Sequence, residues 1–197
     1  MTVSSQRLDR RVQRTRQVLQ QAFMDVVQEK GFAATSIHDI TERADLNRGT
    51  FYLHFEDKYQ LLDAVMREQF HKLIASRLPT APRWNRPTLK LLIEAVLECL
   101  EGKYRHQPPR LPIPAGLLEQ AMYEELTAIL ISWLRCTDST ARPQIPVEMM
   151  ATIVSSAIFG PALQWSQQPA GLPAQQISGA ILSFIADGAW LLEPSHI

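Results

Sequence analysis

Two short amphipathic helices are written side by side between Ser36 and Phe55, and each carries its own start signal. Ser36 caps a helix whose third residue is Asp39, the S-x-x-D form of a capping box. Ile37, Ile40 and Ala44 follow helical spacing and share one face. Asp45-Leu46-Asn47 then breaks the helix: Asp tolerates a left-handed C-cap, Leu46 is placed to plug inward, and Asn47 is a strong N-cap. A second helix begins at Arg48-Gly49-Thr50, with Phe51 and Phe55 four apart on its inner face. Asp57 caps a longer helix, with Gln60 at the capping-box position.

Helix, short turn, helix is the arrangement in which the second helix enters the DNA major groove. Ala44 is small enough for the two helices to cross closely. Gly49 costs a helix roughly 1 kcal/mol against Ala, which makes sense if the first turn presses its backbone against a phosphate or a base edge. Thr50, Tyr52 and His54 offer hydrogen-bond donors while the phenylalanines turn inward.

These residues resemble a known family. The G-F-x-x-T-S-I-x-D-I opening, E-R-A before the turn, R-G-T-F-Y-x-H-F and the following K-x-x-L-L look like the DNA-binding domain of the tetracycline-repressor (TetR) family of transcriptional regulators. The likeness runs over about residues 15–65, a third of the chain. One departure is Asp45, where the family usually has Gly; Asp reaches the left-handed conformation, so the fold is expected unchanged. The resemblance implies an all-α protein with a three-helix head, dimerising through its last two long helices, and with a C-terminal region that varies with the ligand.

A chain of 197 residues buries a real core. Its net charge is zero, so affinity for nucleic acid has to come from local charge. Residues 1–16 hold Arg7, Arg10, Arg11, Arg14 and Arg16 against Asp9 alone, which predicts a phosphate-contacting arm beside the head. A helix from about Leu8 or Thr15 to Lys30 carries an apolar stripe of Leu19, Ala22, Phe23, Val26 and Val27, and Gly31 ends it.

The helix from Lys58 sustains its spacing through Leu61, Leu62, Val65, Met66, Phe70, Leu73, Ile74 and Leu78, roughly 30 Å of helix. It is the mechanical link between residues 1–57, the predicted DNA-binding domain, and residues 58–197, the predicted ligand-binding and dimerisation domain. Pro79, Pro82 and Pro87 stop it. Helices are predicted over 88–106, 117–135, 147–167 and 174–192, with proline-rich loops between the first three. Residues 143–192 contain only Glu148 and Asp187 as charged side chains. A surface helix normally shows a charged face, so one face of these helices is expected inward and the other against a second subunit, an isologous homodimer contact through 147–192. Pro161 is expected to kink the first of them.

For DNA binding the expectations are as follows. Thr35 and Ser36 hold phosphate at a helix N-terminus, Arg48 reads a base edge, Gly49 gives close backbone approach, and Thr50 touches a base or methyl. Tyr52, His54 and Lys58 resemble the family's phosphate contacts. For the ligand, Trp84, Tyr104, Met122, Tyr123, Trp133, Phe159 and Trp165 lie where family members bind small molecules and point to an apolar effector; His71 and Cys99 could face the same cavity.

No catalytic motif of the G-x-S-x-G, P-loop, G-x-G-x-x-G or H-E-x-x-H kind is present, which predicts no enzyme. The scattered histidines predict no metal, and no cofactor is expected. Cys99 and Cys136 lack metal-ligand spacing and read as reduced thiols. No apolar leader segment is written at the N-terminus. Residues 149–165 are interrupted by polar and small residues, whereas a membrane span needs about 20 mostly apolar ones; the expectation is a cytoplasmic protein with no membrane contact. The reading is a homodimeric repressor released from a palindromic operator by a small molecule. Its alternatives are an activator of the same build, or a helical ligand-binding or scaffold protein whose head no longer binds DNA.

Overall fold

The computed structural model describes residues 3–80, 82, 84–106, 115–136, 145–168 and 172–190, and the side chains among them except those of 3–9, 103–106, 115 and 187–190. The regular elements in these residues are all α-helices: α1 (Val3–Lys30), α2 (Ile37–Arg43), α3 (Arg48–Tyr52), α4 (Lys58–Arg77), α5 (Arg86–His106), α6 (Ala115–Cys136), α7 (Val147–Ser166) and α8 (Ala174–Trp190). The chain gathers into two compact units, Met1–Met66 with Pro108–Glu119, and Arg67–Gln107 with Gln120–Ile197.

In the first unit the caps set the geometry. Ser36 is extended (φ −108, ψ 161); its hydroxyl accepts the Asp39 N–H at 3.2 Å and the Asp39 carboxylate accepts the Ser36 N–H at 2.8 Å, a closed capping box. Asp45 takes the left-handed conformation at φ 52. Asn47 accepts the Thr50 N–H at 2.7 Å, and Asp57 accepts those of Tyr59 and Gln60 at 2.9 and 2.8 Å. Gln60 departs from the expected box: it accepts the Glu56 N–H, one residue before the cap. α1 packs on α2 and α2 on α3, around Leu19, Phe23, Phe32, Ile40, Phe51 and Phe55, all buried. Phe23 meets Phe32 edge-on, centroids 6.2 Å apart. α1 begins at Val3, ahead of Leu8. The arginine-rich turns have no apolar stripe to betray them, but Arg and Gln are good helix formers.

In the second unit α5 lies against α7 and α8, and α7 against α8. α5 buries Leu92, Ile93, Val96, Leu97 and Leu100; α7 buries Ala151, Val154, Ile158, Phe159 and Ala162; α8 buries Ile181, Leu182 and Ile185. α6 is tied to α7 by Thr127 Oγ1 donating to Ser155 Oγ at 2.9 Å. It is tied to α4 by the Arg67–Glu124 ion pair and by His71 Nδ1, 2.7 Å from Glu125. The Trp165 indole donates to the Leu172 carbonyl at 2.7 Å, closing the α7–α8 connection. α7 continues through Pro161. By length and composition α7 could cross a membrane, yet it packs within this unit, with a third of its apolar window buried. Its outer side shows Met149 and Ile153, and that of α8 shows Phe184, 74% exposed.

Candidate nucleic-acid interface

The site is built on α3, a helix of five residues that cannot hold itself. Asn47 fixes its start, and Phe51 and Phe55 pin one side into the core. At about 100° per residue, Gly49 and Leu53 then lie opposite the phenylalanine pair, with Tyr52 beside them. Leu53 is 82% and Tyr52 57% exposed. Arg48 is exposed, and its guanidinium makes no hydrogen bond or ion pair to another described residue. Gly49 has a reason of its own inside the chain: a Cβ there would stand 3.2 Å from Asn47 Oδ1, crowding the cap. Thr50 donates its hydroxyl to Asn47 Oδ1 at 3.0 Å, which commits the hydroxyl locally.

His54 is half-buried behind this face. Arg16 donates to its carbonyl oxygen at 3.1 Å and lies 4.4 Å from the centroid of the Phe55 ring. Burial first, and the Arg16 charge second, hold the His54 imidazole below its ordinary pKa. Arg16 therefore serves the head internally, whereas Arg10, Arg11 and Arg14 are exposed along α1; the Arg7 side chain lies outside those described.

Two of the expected phosphate contacts also make hydrogen bonds within the head. Thr35 is buried; its hydroxyl donates to the Gly31 carbonyl at 2.8 Å and its N–H to that of Phe32 at 3.2 Å. Lys58 Nζ donates to the carbonyls of Phe32, Ala33 and Thr35 at 3.1, 3.3 and 2.8 Å and stands 4.7 Å from the Phe32 ring centroid. An ammonium has three donors, so Lys58 is engaged by the α1–α2 turn. Ser36 is exposed, but its N–H and hydroxyl both bond Asp39. The Asp39 carboxylate is held well below the usual carboxylate range first by Lys30, 2.6 Å away, and then by those hydrogen bonds from Ser36.

Residues 21–65, which hold the end of α1, both short helices and the start of α4, match the model of the bacterial regulatory proteins of the tetR family. Over those residues the chain is a match to the tetR family. It is similar to the uncharacterized HTH-type transcriptional regulator YxbF of Bacillus subtilis, 43% identical over 68 residues, 34% of this chain and 18% of that protein. It is also similar to the HTH-type transcriptional repressor DhaR of a Mycobacterium species, 33% identical over 91 residues, 45% of this chain and 46% of that one. The chain thus spans less than half the length of either curated relative. The crystal structure of RolR in complex with its ligand resorcinol superimposes with a TM-score of 0.58 at 18% identity, covering 94% of this chain and 96% of RolR; that likeness is one of fold.

The expected ligand residues belong to α5, α6, α7 and the bend before α5. Tyr123 and Phe159 meet edge-on, centroids 5.8 Å apart, with the Tyr123 hydroxyl 3.0 Å from Ser156 Oγ. Met122, Trp133 and Trp165 are buried, and Trp165 is turned to the α7–α8 connection. Trp84 is half-buried in the bend before α5, and the Tyr104 side chain lies outside those described. His71 is occupied with Glu125. A cleft of about 490 Å³ lies instead on the head, lined by Val26, Glu29, Lys30, Asp39, Glu42 and Arg43. The ion pairs Lys30–Asp39 and Arg43–Glu29, each 2.6 Å, fill its polar wall. Sequence reasoning missed the outward Leu53, the inward Arg16 and the buried Ser178 hydroxyl, which has no hydrogen-bond partner. Spacing alone could have found Leu53, since it stands two residues from each buried phenylalanine.

Proposed function

We propose that this TetR-family transcriptional regulator is a cytoplasmic homodimeric repressor, released from a roughly palindromic operator by a small apolar effector. The observation that carries the reading is α3, where Arg48, with no hydrogen-bond or ion-pair partner among the described residues, stands one turn before exposed Tyr52 on a helix that Phe51 and Phe55 lock into the core. Residues 1–57 would read DNA and residues 58–197 would bind effector and partner. Arg matches guanine bidentately, Tyr52 and His54 would lean on phosphate, and the exposed arginines of α1 would add charge contacts.

Pairing through 147–192 is supported by the apolar outer residues Met149, Ile153 and Phe184. It is supported too by Gly179, where an added Cβ would meet nothing within 4 Å among the described residues. Two heads on a two-fold axis reach successive major grooves about 34–36 Å apart. An effector that tilts α4 would change the spacing of the heads, with typical couplings of about 1–3 kcal/mol. The repressor sign follows DhaR, which is named a repressor.

The test is a gel shift with DNA from upstream of the chain's own gene. A salt-dependent shift to one site is expected. No shift at any salt concentration would leave a helical ligand-binding protein with a vestigial head.

A further inference from the structure

The C-terminal end of α3 is held from another helix. A helix leaves its last carbonyls without intrahelical partners, and α3 is too short to keep that end ordered by itself. Asn47 caps its start from the adjoining turn. At the other end Arg16, 38 residues earlier on α1, donates to the carbonyl oxygen of His54 at 3.1 Å. The same guanidinium lies 4.4 Å from the centroid of the Phe55 ring. Phe55 in turn meets Phe51 of α3, centroids 5.9 Å apart. Arg16 is half-buried in this position, whereas Arg10, Arg11 and Arg14 on the same helix are exposed. Those three face solvent, and Arg16 faces the end of α3.

We propose that Arg16 is a positioning residue for operator recognition: from α1 it fixes the end of α3, so that this helix meets the bases already ordered. This rests on the reading of the head as a sequence-specific DNA binder. A recognition surface has to be held within about 0.5 Å and 10–20° to work. Without Arg16 the end of α3 would be ordered only on binding, and that ordering would be subtracted from the affinity. The loss falls on specific sites alone. Phosphate contacts on a non-specific duplex do not require α3 to be in register with the bases. Arg16 therefore sets discrimination between sites while its own bonds stay inside the head.

The experiment selects a site from a random-sequence pool with the full-length protein, then measures affinity for that duplex and for a scrambled one across salt concentrations. Each variant is measured at a temperature where its circular dichroism equals that of wild type. Arg16→Met keeps an unbranched stem and removes the donors. It should lose about tenfold at the selected site, with unchanged affinity for the scrambled duplex and an unchanged salt slope. Arg16→Lys keeps the charge and a donor but not the flat guanidinium that bonds the carbonyl and covers the ring together. It should recover only part of the ratio between the two duplexes. If Arg16→Met weakens both duplexes alike and lowers the salt slope by about one, Arg16 is a phosphate ligand and the proposal fails. A wild-type ratio in Arg16→Met, with only a lower unfolding temperature, reduces Arg16 to a stabiliser of the head and also overturns it. Should Arg16→Met not fold, a wild-type ratio in Arg16→Lys does the same. If the pool yields no preferred sequence, the reading of the head fails and takes the proposal with it.

Discussion

The Nζ of Lys58 stands 2.8 Å from the carbonyl oxygen of Thr35, joining the first residue of α4 to the turn between α1 and α2. Three carbonyls and an aromatic face converge on that ammonium. Its place at the start of a long helix suggests an anchor for DNA, and its bonds tie it to the head.

Lys58→Met keeps the aliphatic stem and removes the donors. The head should lose about 1–3 kcal/mol, nearer the low end because the group is only half-buried, seen as a lower unfolding temperature. The salt dependence of operator binding should not change. A slope smaller by about one with unchanged unfolding would make Lys58 a phosphate ligand after all.

Arg48→Ala should cost about 1–3 kcal/mol at the specific site and relax preference at one base position. The head should melt as before, since Arg48 has no partner to lose among the described residues. Unchanged affinity and base preference in a selection experiment would remove Arg48 from the interface.

His54 gives the head a pH dependence whose sign is fixed by its surroundings. Its folded pKa is lowered, by burial and then by the Arg16 charge, so between the ordinary histidine value, about 6.5, and the lower folded value the unfolded chain binds more protons. Stability should be fully present above that window and fall as pH drops through it. Carboxylates with lowered pKa values, Glu29 beside Arg43 and Asp39 beside Lys30, add a second loss at more acid pH. Unfolding temperatures measured from pH 7.5 to 5 should decline for wild type and less for His54→Gln; equal declines would place the titrating group elsewhere.

For the subunit contact, Ala180→Glu and Phe184→Glu are tested separately. Both positions are exposed on α8, so a single subunit tolerates a carboxylate there. In a symmetric contact the charge is buried near its own mate, at a cost of several kcal/mol. At least one variant should sediment as a monomer, keep its helical circular dichroism and lose operator binding. Two folded variants that both remain dimers would move the contact off α8.

The fold was readable where the signal is local. Ser36 with Asp39, Asn47 with Thr50 and Asp45 at a left-handed position are decided by residues within a few places of each other. Helix ends inside the second unit fell within a few residues of the apolar periodicity for the same reason. What could not be read depends on where distant backbone arrives. Thr35 is buried because α1 and the turn enclose it, and Lys58 is engaged because three carbonyls from 23 to 26 residues away point at one spot. Gln60 took the Glu56 N–H, one residue before the cap, where the chain bends. The ligand residues were the least legible: Met122, Trp133 and Trp165 are buried, and composition does not separate the wall of a pocket from a core.

Gly160 and Gly179 have a further consequence for how the protein can change over time. Each sits inside a helix, and beyond its chain neighbours nothing lies within 4 Å of where a methyl would be. Alanine at Gly179 would favour its helix by about 1 kcal/mol, whereas at Gly160 a Cβ would meet the ring of Pro161, the next residue of α7. Glycine at 179 thus leaves α8 softer than its own packing requires, and Gly179→Ala is the substitution that would make the subunit more heat-resistant without touching its core.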